Sequence, residues 1–130
     1  AKMKLIGYIL FLFLNQLLPA QSVKGVLQAL AQQDQTFLNQ NFASEVHYSL
    51  DLQSYEGSKI EAIQSVLNFV GSSSGKNFKI IHEGVPKGKE SFMGIGNLVS
   101  DKGKFRVYIT FHFKDNKYLV NELKIEKDGL

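Results

Sequence analysis

The sequence predicts an α+β domain in which helices pack against one antiparallel sheet. Two segments repeat apolar residues with the 3.6-residue period of a helix, and the last third of the chain alternates polar and apolar residues as strands do. Short turns join these strands in series, which favours an antiparallel sheet over a parallel βαβ arrangement. The length of 130 residues allows one such domain.

The first twenty residues are interpreted as a secretory signal peptide. Lys2 and Lys4 precede an apolar run over residues 5–14, and the small residue Ala20 follows at its exit. This order is typical of a leader, whereas a transmembrane helix needs roughly 20 apolar residues. We therefore expect a mature domain of residues 21–130, exported to the periplasm or the extracellular medium, with no stable membrane insertion after cleavage. An uncleaved N-terminal anchor is the alternative.

Removal of the leader changes the charge balance of the chain. The whole sequence has 15 Lys+Arg and 12 Asp+Glu, a net charge of +3. Lys2 and Lys4 leave with the leader, so the mature domain carries +1 and has Arg106 as its single arginine. Nucleic-acid binders cluster basic residues among aromatic ones, so we expect no nucleic-acid partner. The absence of Cys excludes disulfides and thiol-based sites.

The first half of the mature chain is predicted to form helix, strand and helix. A helix is expected over Ser22–Asn39, with Ser22 as its N-cap, and a strand over Glu45–Leu52, followed by a turn at Gln53–Gly57. Ser58 opens a second helix because Glu61 stands three residues later, as in a capping box. Gly71 is expected to end this helix.

The second half is predicted to form strands joined by turns. The expected strands are Asn77–Glu83, Ser91–Ser100, Lys104–Lys114 and Lys117–Lys127. In the third of these, the apolar side carries alternate residues from Phe105 to Phe113. In the last, the apolar side is expected to carry Leu119, Leu123 and Ile125.

The chain resembles the nuclear transport factor 2-like superfamily, and within it a family of short secreted bacterial proteins of unknown function. The residues that carry the likeness are those of Phe78–Gly84, Gly94–Gly96, Gly103–Tyr108 and Leu123–Glu126. The resemblance implies a cone-shaped, cystatin-like fold, in which a curved antiparallel sheet wraps N-terminal helices. Its motifs are structural, so the resemblance implies no particular activity. Glycines 94 and 96 are interpreted as a bend in a strand.

Four polar side chains are candidates for a ligand site inside such a cone. His82 is in alternation phase with Phe78 and Ile80, and Asn121 with Leu119 and Leu123. His82 could serve as a general base near neutral pH. Both side chains also have a simpler interpretation as hydrogen-bonded structural groups. Asp34 and Tyr48, with Tyr55 as the alternative tyrosine, are candidates because the resemblance extends to ketosteroid isomerases, in which an Asp base faces Tyr.

Other residues are candidates for the outer face of the sheet. Tyr108 and Tyr118, with Val120, are expected there as an interface with another protein or in a homodimer. Arg106 is expected on the same face, paired with Glu122 or Glu126. The three histidines lack the spacing of metal ligands, and no phosphate loop or nucleophile elbow is present. We therefore expect no metal and no cofactor.

The favoured hypothesis is an exported, non-catalytic binding domain. Its partner would be a small apolar ligand in the cone or an envelope protein on the outer face. The first alternative is a small-molecule enzyme of isomerase or dehydratase type, with His82 or Asp34 as the base. The second is an accessory subunit of a cell-envelope complex.

Overall fold

The computed structural model describes residues 22–72 and 77–127 of the chain. The predicted leader, residues 1–20, lies outside these ranges. Within them, no helix is both long enough and apolar enough to cross a membrane.

Three helices and one six-stranded sheet make up the described fold. The sheet order is β2-β1-β6-β5-β4-β3. β1 runs parallel to β6, and the other four pairings are antiparallel. The helices are α1 (Val23–Gln32), α2 (Gln35–Asn41) and α3 (Lys59–Val70), and the strands are β1 (Phe42–Leu50), β2 (Gln53–Ser58), β3 (Phe78–Glu83), β4 (Phe92–Ser100), β5 (Gly103–Lys114) and β6 (Lys117–Lys127).

The predicted first helix is two helices. Ser22 caps α1 as expected, its Oγ accepting from the Gly25 N–H at 3.0 Å. The prediction of one helix to Asn39 is wrong because Gln33 adopts a left-handed conformation, with φ 58° and ψ 40°, and ends α1. Asp34 then caps α2, its Oδ1 accepting from the Phe37 N–H at 3.1 Å. The apolar stripe continues across this break, so periodicity alone does not reveal it.

The left-handed residue also ties α1 to α3. The Gln33 Nε2 donates to the carbonyl of Leu67 at 3.1 Å and to that of Gly71 at 2.8 Å. The Leu67 carbonyl also accepts from the Gly71 N–H, so the amide adds a second hydrogen bond there, and it gives the Gly71 carbonyl, just beyond the end of α3, a partner. A residue that sequence periodicity assigns to a solvent-facing helical position therefore joins two helices.

Replacing Gln33 by alanine is expected to lower the free energy of unfolding by about 1–2 kcal/mol, because both hydrogen bonds are lost. Chemical denaturation of the purified domain measures the change. The control is Gln32→Ala, at the exposed last residue of α1, where a change within about 0.5 kcal/mol is expected. Equal effects of the two substitutions would contradict the bridging role of Gln33.

The segment predicted as a turn at Gln53–Gly57 is strand β2, so that prediction is wrong. The chain reverses at Asp51 and Leu52, where Asp51 has φ +56°. β2 pairs with β1 from Glu45 opposite Ser58 to Leu50 opposite Gln53. It lies at an edge of the sheet and is mostly exposed, so burial imposes no apolar alternation on its sequence.

The second predicted helix and the four later strands are confirmed. Ser58 Oγ accepts from the Glu61 N–H at 3.3 Å at the start of α3. Gly71, with φ +74°, ends the helix and donates to the carbonyl of Leu67. β3 to β6 begin and end within one residue of the predicted bounds. These elements have strong local signals in caps, glycines and alternation.

A β-bulge at Asn121 reverses the alternation of β6. Phe111 lies opposite Val120 while Thr110 lies opposite Glu122, so Asn121 is the additional residue. As a result Val120 is fully buried together with Leu123 and Ile125. The prediction that Leu119 shares their face is wrong for this reason.

Candidate functional site

The interior between the sheet and the helices is filled by side chains. Phe105, Ile109 and Phe111 of β5 point to this side and are 2%, 0% and 0% exposed. Phe111 stacks on Phe92 with ring centroids 4.5 Å apart, and Phe105 meets Phe69 of α3 edge to face at 5.4 Å. Such dense aromatic packing occupies the space that a ligand inside the fold would need.

Helix α1 approaches β4 closely across two glycines. A Cβ at Gly94 would lie 2.1 Å from Val23 Cγ2, and one at Gly96 would lie 2.3 Å from Leu27 Cδ1. The β4–β5 register is regular through both positions. The glycines therefore allow the close approach of a helix, rather than the bend that the sequence suggested.

Two of the interior candidates lie outside the interior. Asp34 is exposed and acts as the N-cap of α2. His82 is exposed because β3 has a register shift at Ile81: Ile80 lies opposite Gly96, but His82 lies opposite Ile95. The prediction that His82 points inward is wrong, since one additional residue moves every later side chain to the other face.

Of the other two interior candidates, Tyr48 is buried and Asn121 is partly exposed. Tyr48 is 8% exposed; its ring stacks on Tyr55 at 5.3 Å, and its hydroxyl lies 3.4 Å from Ser65 Oγ. Asn121 stands at the bulge, and its Oδ1 is buried with no hydrogen-bond partner within the described part of the chain. A buried amide oxygen without a partner lowers stability. Among the described residues, Asn41 is the one buried residue of the polar or charged types.

The side of the sheet away from the helices is hereafter called the outer face. Its centre is the cross-strand pair of Ile95 on β4 and Tyr108 on β5, both partly exposed. Met93 is two residues before Ile95 on the same side of β4, and Val99 follows beyond Asn97; they are 41% and 42% exposed. Alternation along β4 could have located Met93, Ile95 and Val99, which were not among the residues predicted for this face.

Charged side chains surround this apolar centre. The Arg106 Nε donates to Asn97 Oδ1 at 2.8 Å, and Arg106 lies opposite Glu126 in the register of β5 and β6. Glu126 forms its ion pair with Lys124 at 3.1 Å. The Lys124 ammonium also lies 5.5 Å from the centroid of the Tyr108 ring, within the range of a cation–π contact.

Two predicted outer-face residues belong to the inner side. Tyr118 lies opposite Phe113 and packs edge to face on Phe92 at 5.1 Å, and its hydroxyl donates to the carbonyl of Gly88. Val120 is fully buried. The placement of Tyr118 and Val120 on the outer face is therefore wrong, because the bulge at Asn121 lies between them and Glu122. Arg106 and Tyr108 are on the outer face as predicted.

A groove of about 620 Å³ opens along β2, β1 and β6. Outer-face residues His47, Ser49, Ser54, Glu122 and Lys124 contribute to its lining. His47 faces Glu56 across the hairpin at 3.7 Å. The sequence did not predict this groove, because the segment of β2 has the pattern of a turn.

Comparison with known protein families identifies the relatives of the chain. A family model described as "Domain of unknown function (DUF4783)" matches residues 23–126. The chain belongs to the DUF4783 family. Among curated proteins, none matches it.

Solved DUF4783 structures share the fold of this chain. A family member from Bacteroides ovatus is 25% identical, with a TM-score of 0.68 over 82% of this chain and 94% of that one. One from Bacteroides fragilis is 30% identical, with a TM-score of 0.66 over 80% and 96%. An NTF-2 like protein of unknown function from Silicibacter pomeroyi is 10% identical, with a TM-score of 0.59 over 78% and 85%. The predicted nuclear transport factor 2-like α+β fold is confirmed.

The histidines of this DUF4783 chain lie on three different strands. His47 is on β1 beside Glu56, His82 is on β3, and the His112 Nδ1 on β5 lies 3.3 Å from Ser91 Oγ. Across residues 22–72 and 77–127, no three His, Asp or Glu side chains are grouped as metal ligands would be.

Proposed function

We propose that this DUF4783 chain is an exported, non-catalytic protein-interaction domain that binds its partner through the outer face of the sheet. The observation that carries the proposal is the contrast between the two sides. The inner side is packed by the protein's own aromatic rings, while the outer face leaves Ile95, Tyr108, Met93 and Val99 accessible. Exposed apolar groups ringed by polar ones are typical of interaction sites, and Tyr and Arg are enriched among residues that dominate binding.

The interior gives less support to a small apolar ligand or to an enzyme. A ligand in the cone would need the volume that Phe105, Ile109 and Phe111 occupy. An isomerase or dehydratase would need an acid or base facing an apolar pocket. The two residues considered for this role, Asp34 and His82, are exposed away from the core.

The predicted leader limits the class of partner. A chain exported by residues 1–20 meets other periplasmic, surface or secreted proteins, including copies of itself. The proposal therefore covers the accessory-subunit hypothesis, since an envelope complex would use the same outer face.

Site-specific photo-crosslinking tests the proposal in producing cells. With benzoylphenylalanine in place of Tyr108, we expect a discrete protein adduct that is lost when Met93→Glu is added. The same probe at Gln28, exposed on α1, is the matched control and is expected to give no such adduct. Met93→Glu is expected to leave the melting temperature unchanged, because the side chain is 41% exposed.

Two results would overturn the proposal. One is the absence of an adduct at position 108 under conditions in which the protein is produced and folded. The other is saturable binding of a lipophilic fluorescent probe to the wild-type domain. To overturn the proposal, this binding would be abolished by substitutions that change the volume of core side chains and unaffected by Met93→Glu.

A further inference from the structure

Charge is divided unequally between the two halves of the outer face. At the described positions of the half formed by β3, β4 and β5, the charged side chains are basic, and no carboxylate is among them: Lys79, Lys104, Arg106 and Lys114. The half formed by β6, β1 and β2 carries four glutamates against Lys117 and Lys124: Glu45, Glu56, Glu122 and Glu126. The face therefore has a basic half and an acidic half.

The boundary between these halves is the midline of the sheet. With the order β2-β1-β6-β5-β4-β3, three strands lie on each side of the β6–β5 junction. Tyr108 and Lys124 are register partners across that junction. In a closed, symmetric dimer that joins two identical faces, the two-fold axis lies in the plane of their contact. An axis along the strands at this midline places each basic half over the acidic half of the other copy.

An axis at right angles to the strands gives the opposite result. It would place each basic half over the basic half of the other copy, and like charges in contact disfavour association. Of these two axes, only the one along the strands makes the face complementary to itself. Charge thus favours the axis along the strands over the axis across them.

The shapes of the two halves agree with this arrangement. The axis brings β4 of one copy over β1 of the other. The strand register places Met93 at the same level along the strands as His47, and Ile95 at the same level as Ser49, so each apolar side chain lies over the corresponding residue of the other copy. His47 and Ser49 line the groove of about 620 Å³. The exposed apolar side chains of one half therefore meet a concave surface in the other.

The outer face has the size that a stable dimer requires. Six strands about 4.8 Å apart and about nine residues long cover on the order of 700 Å² in projection. Specific interfaces bury about 800 Å² on each partner. The face is therefore of the scale of one complete interface.

We propose that the partner of the outer face is a second copy of this chain, related by a two-fold axis along the strands at the β5–β6 junction. This inference rests on the proposed function, since it names the partner of the same surface. In this dimer Arg106 lies over the partner's Glu126, because Arg106 and Glu126 are at the same height on either side of the axis. The two Tyr108 rings lie beside the axis.

Complementary charge reversal tests this arrangement. Arg106→Glu alone places Glu against the partner's Glu126 twice in each dimer, and Glu126→Arg alone places Arg against Arg twice. Each variant is expected to raise the dimer dissociation constant about tenfold or more, measured by sedimentation and by light scattering after gel filtration. An equimolar mixture of the two variants is expected to recover the wild-type constant, because both contacts in the mixed dimer then join opposite charges.

The mixture separates association from folding, because mixing cannot repair a misfolded chain. Lys24→Glu, exposed on α1, is the matched control and is expected to dimerise as the wild type does. A wild-type domain that stays monomeric at millimolar concentration would overturn the inference. So would a dimer that is unaffected by both reversals, or a mixture that does not recover. A monomer whose position 108 still crosslinks to a different protein would overturn the dimer and leave the proposed function standing.

Discussion

Replacing Phe111 by alanine is expected to lower the free energy of unfolding by about 3–5 kcal/mol. The ring is fully buried, stacks on Phe92 with an interplanar angle of 6°, and lies opposite Val120 at the bulge of β6. Its removal withdraws apolar surface from the core and leaves a cavity that the surrounding strands cannot close. Equilibrium denaturation in urea measures the loss through the transition midpoint.

The same variant tests whether the interior is filled in the wild type. An apolar cavity remains dry and can bind a small apolar molecule such as benzene. The Phe111→Ala protein is therefore expected to be stabilised by benzene, while the wild type is not. Phe113→Ala is the matched control, since Phe113 is only partly buried against Tyr118. This substitution should lower the free energy of unfolding by less than half as much as Phe111→Ala. Equal losses, or stabilisation of the wild type by benzene, would contradict a filled core.

Replacing Gly94 by alanine is expected to destabilise the domain by about 1–3 kcal/mol, although one methyl group is all that is added. That methyl would lie 2.1 Å and 2.8 Å from the two γ-carbons of Val23, which is fully buried on α1. The helix and the sheet must separate locally to admit it. Chemical denaturation of the Gly94→Ala variant measures this loss in the free energy of unfolding.

A double-mutant cycle with Val23→Ala identifies the cause. Val23→Ala removes both γ-carbons, so Gly94→Ala should cost less in that background than in the wild type. Gly57→Ala is the control, because the nearest atom to its Cβ is Glu61 Oε2, at the end of a flexible side chain; a change within about 0.5 kcal/mol is expected there. Strict additivity of Gly94→Ala and Val23→Ala would show that the helix contact is not what excludes a side chain at position 94.

Much of the fold was predictable because its signals are local. The Ser58 cap, the Gly71 end and the apolar stripe of α3 act within one helix. The alternation along β5 directly indicated the outward direction of Arg106 and Tyr108. By contrast, β2 carries little local signal. It is a mostly exposed edge strand, so burial does not require alternating apolar residues, and its sequence resembles that of a turn.

The candidate site was less predictable because irregularities reverse faces. A strand has a side-chain period of two, so one additional residue moves all later side chains to the other face. Because of the bulge at Asn121, Tyr118 and Val120 lie on the inner side of the sheet. Because of the register shift at Ile81, His82 lies on the outer face. The parallel pairing of β1 with β6 joins residues far apart in sequence, and no local pattern encodes it.

By itself the sequence determined that this is an α+β chain of nuclear transport factor 2-like type, with its helix caps, hairpins and the outward Tyr108. The tertiary structure alone decided that the interior is filled, that Gly94 and Gly96 admit a helix, and that basic and acidic halves meet at the midline of the sheet. The physical reason is that caps and alternation depend on neighbours within one turn or strand. Packing volume, register and the distribution of charge over a face depend on strands that meet only after folding.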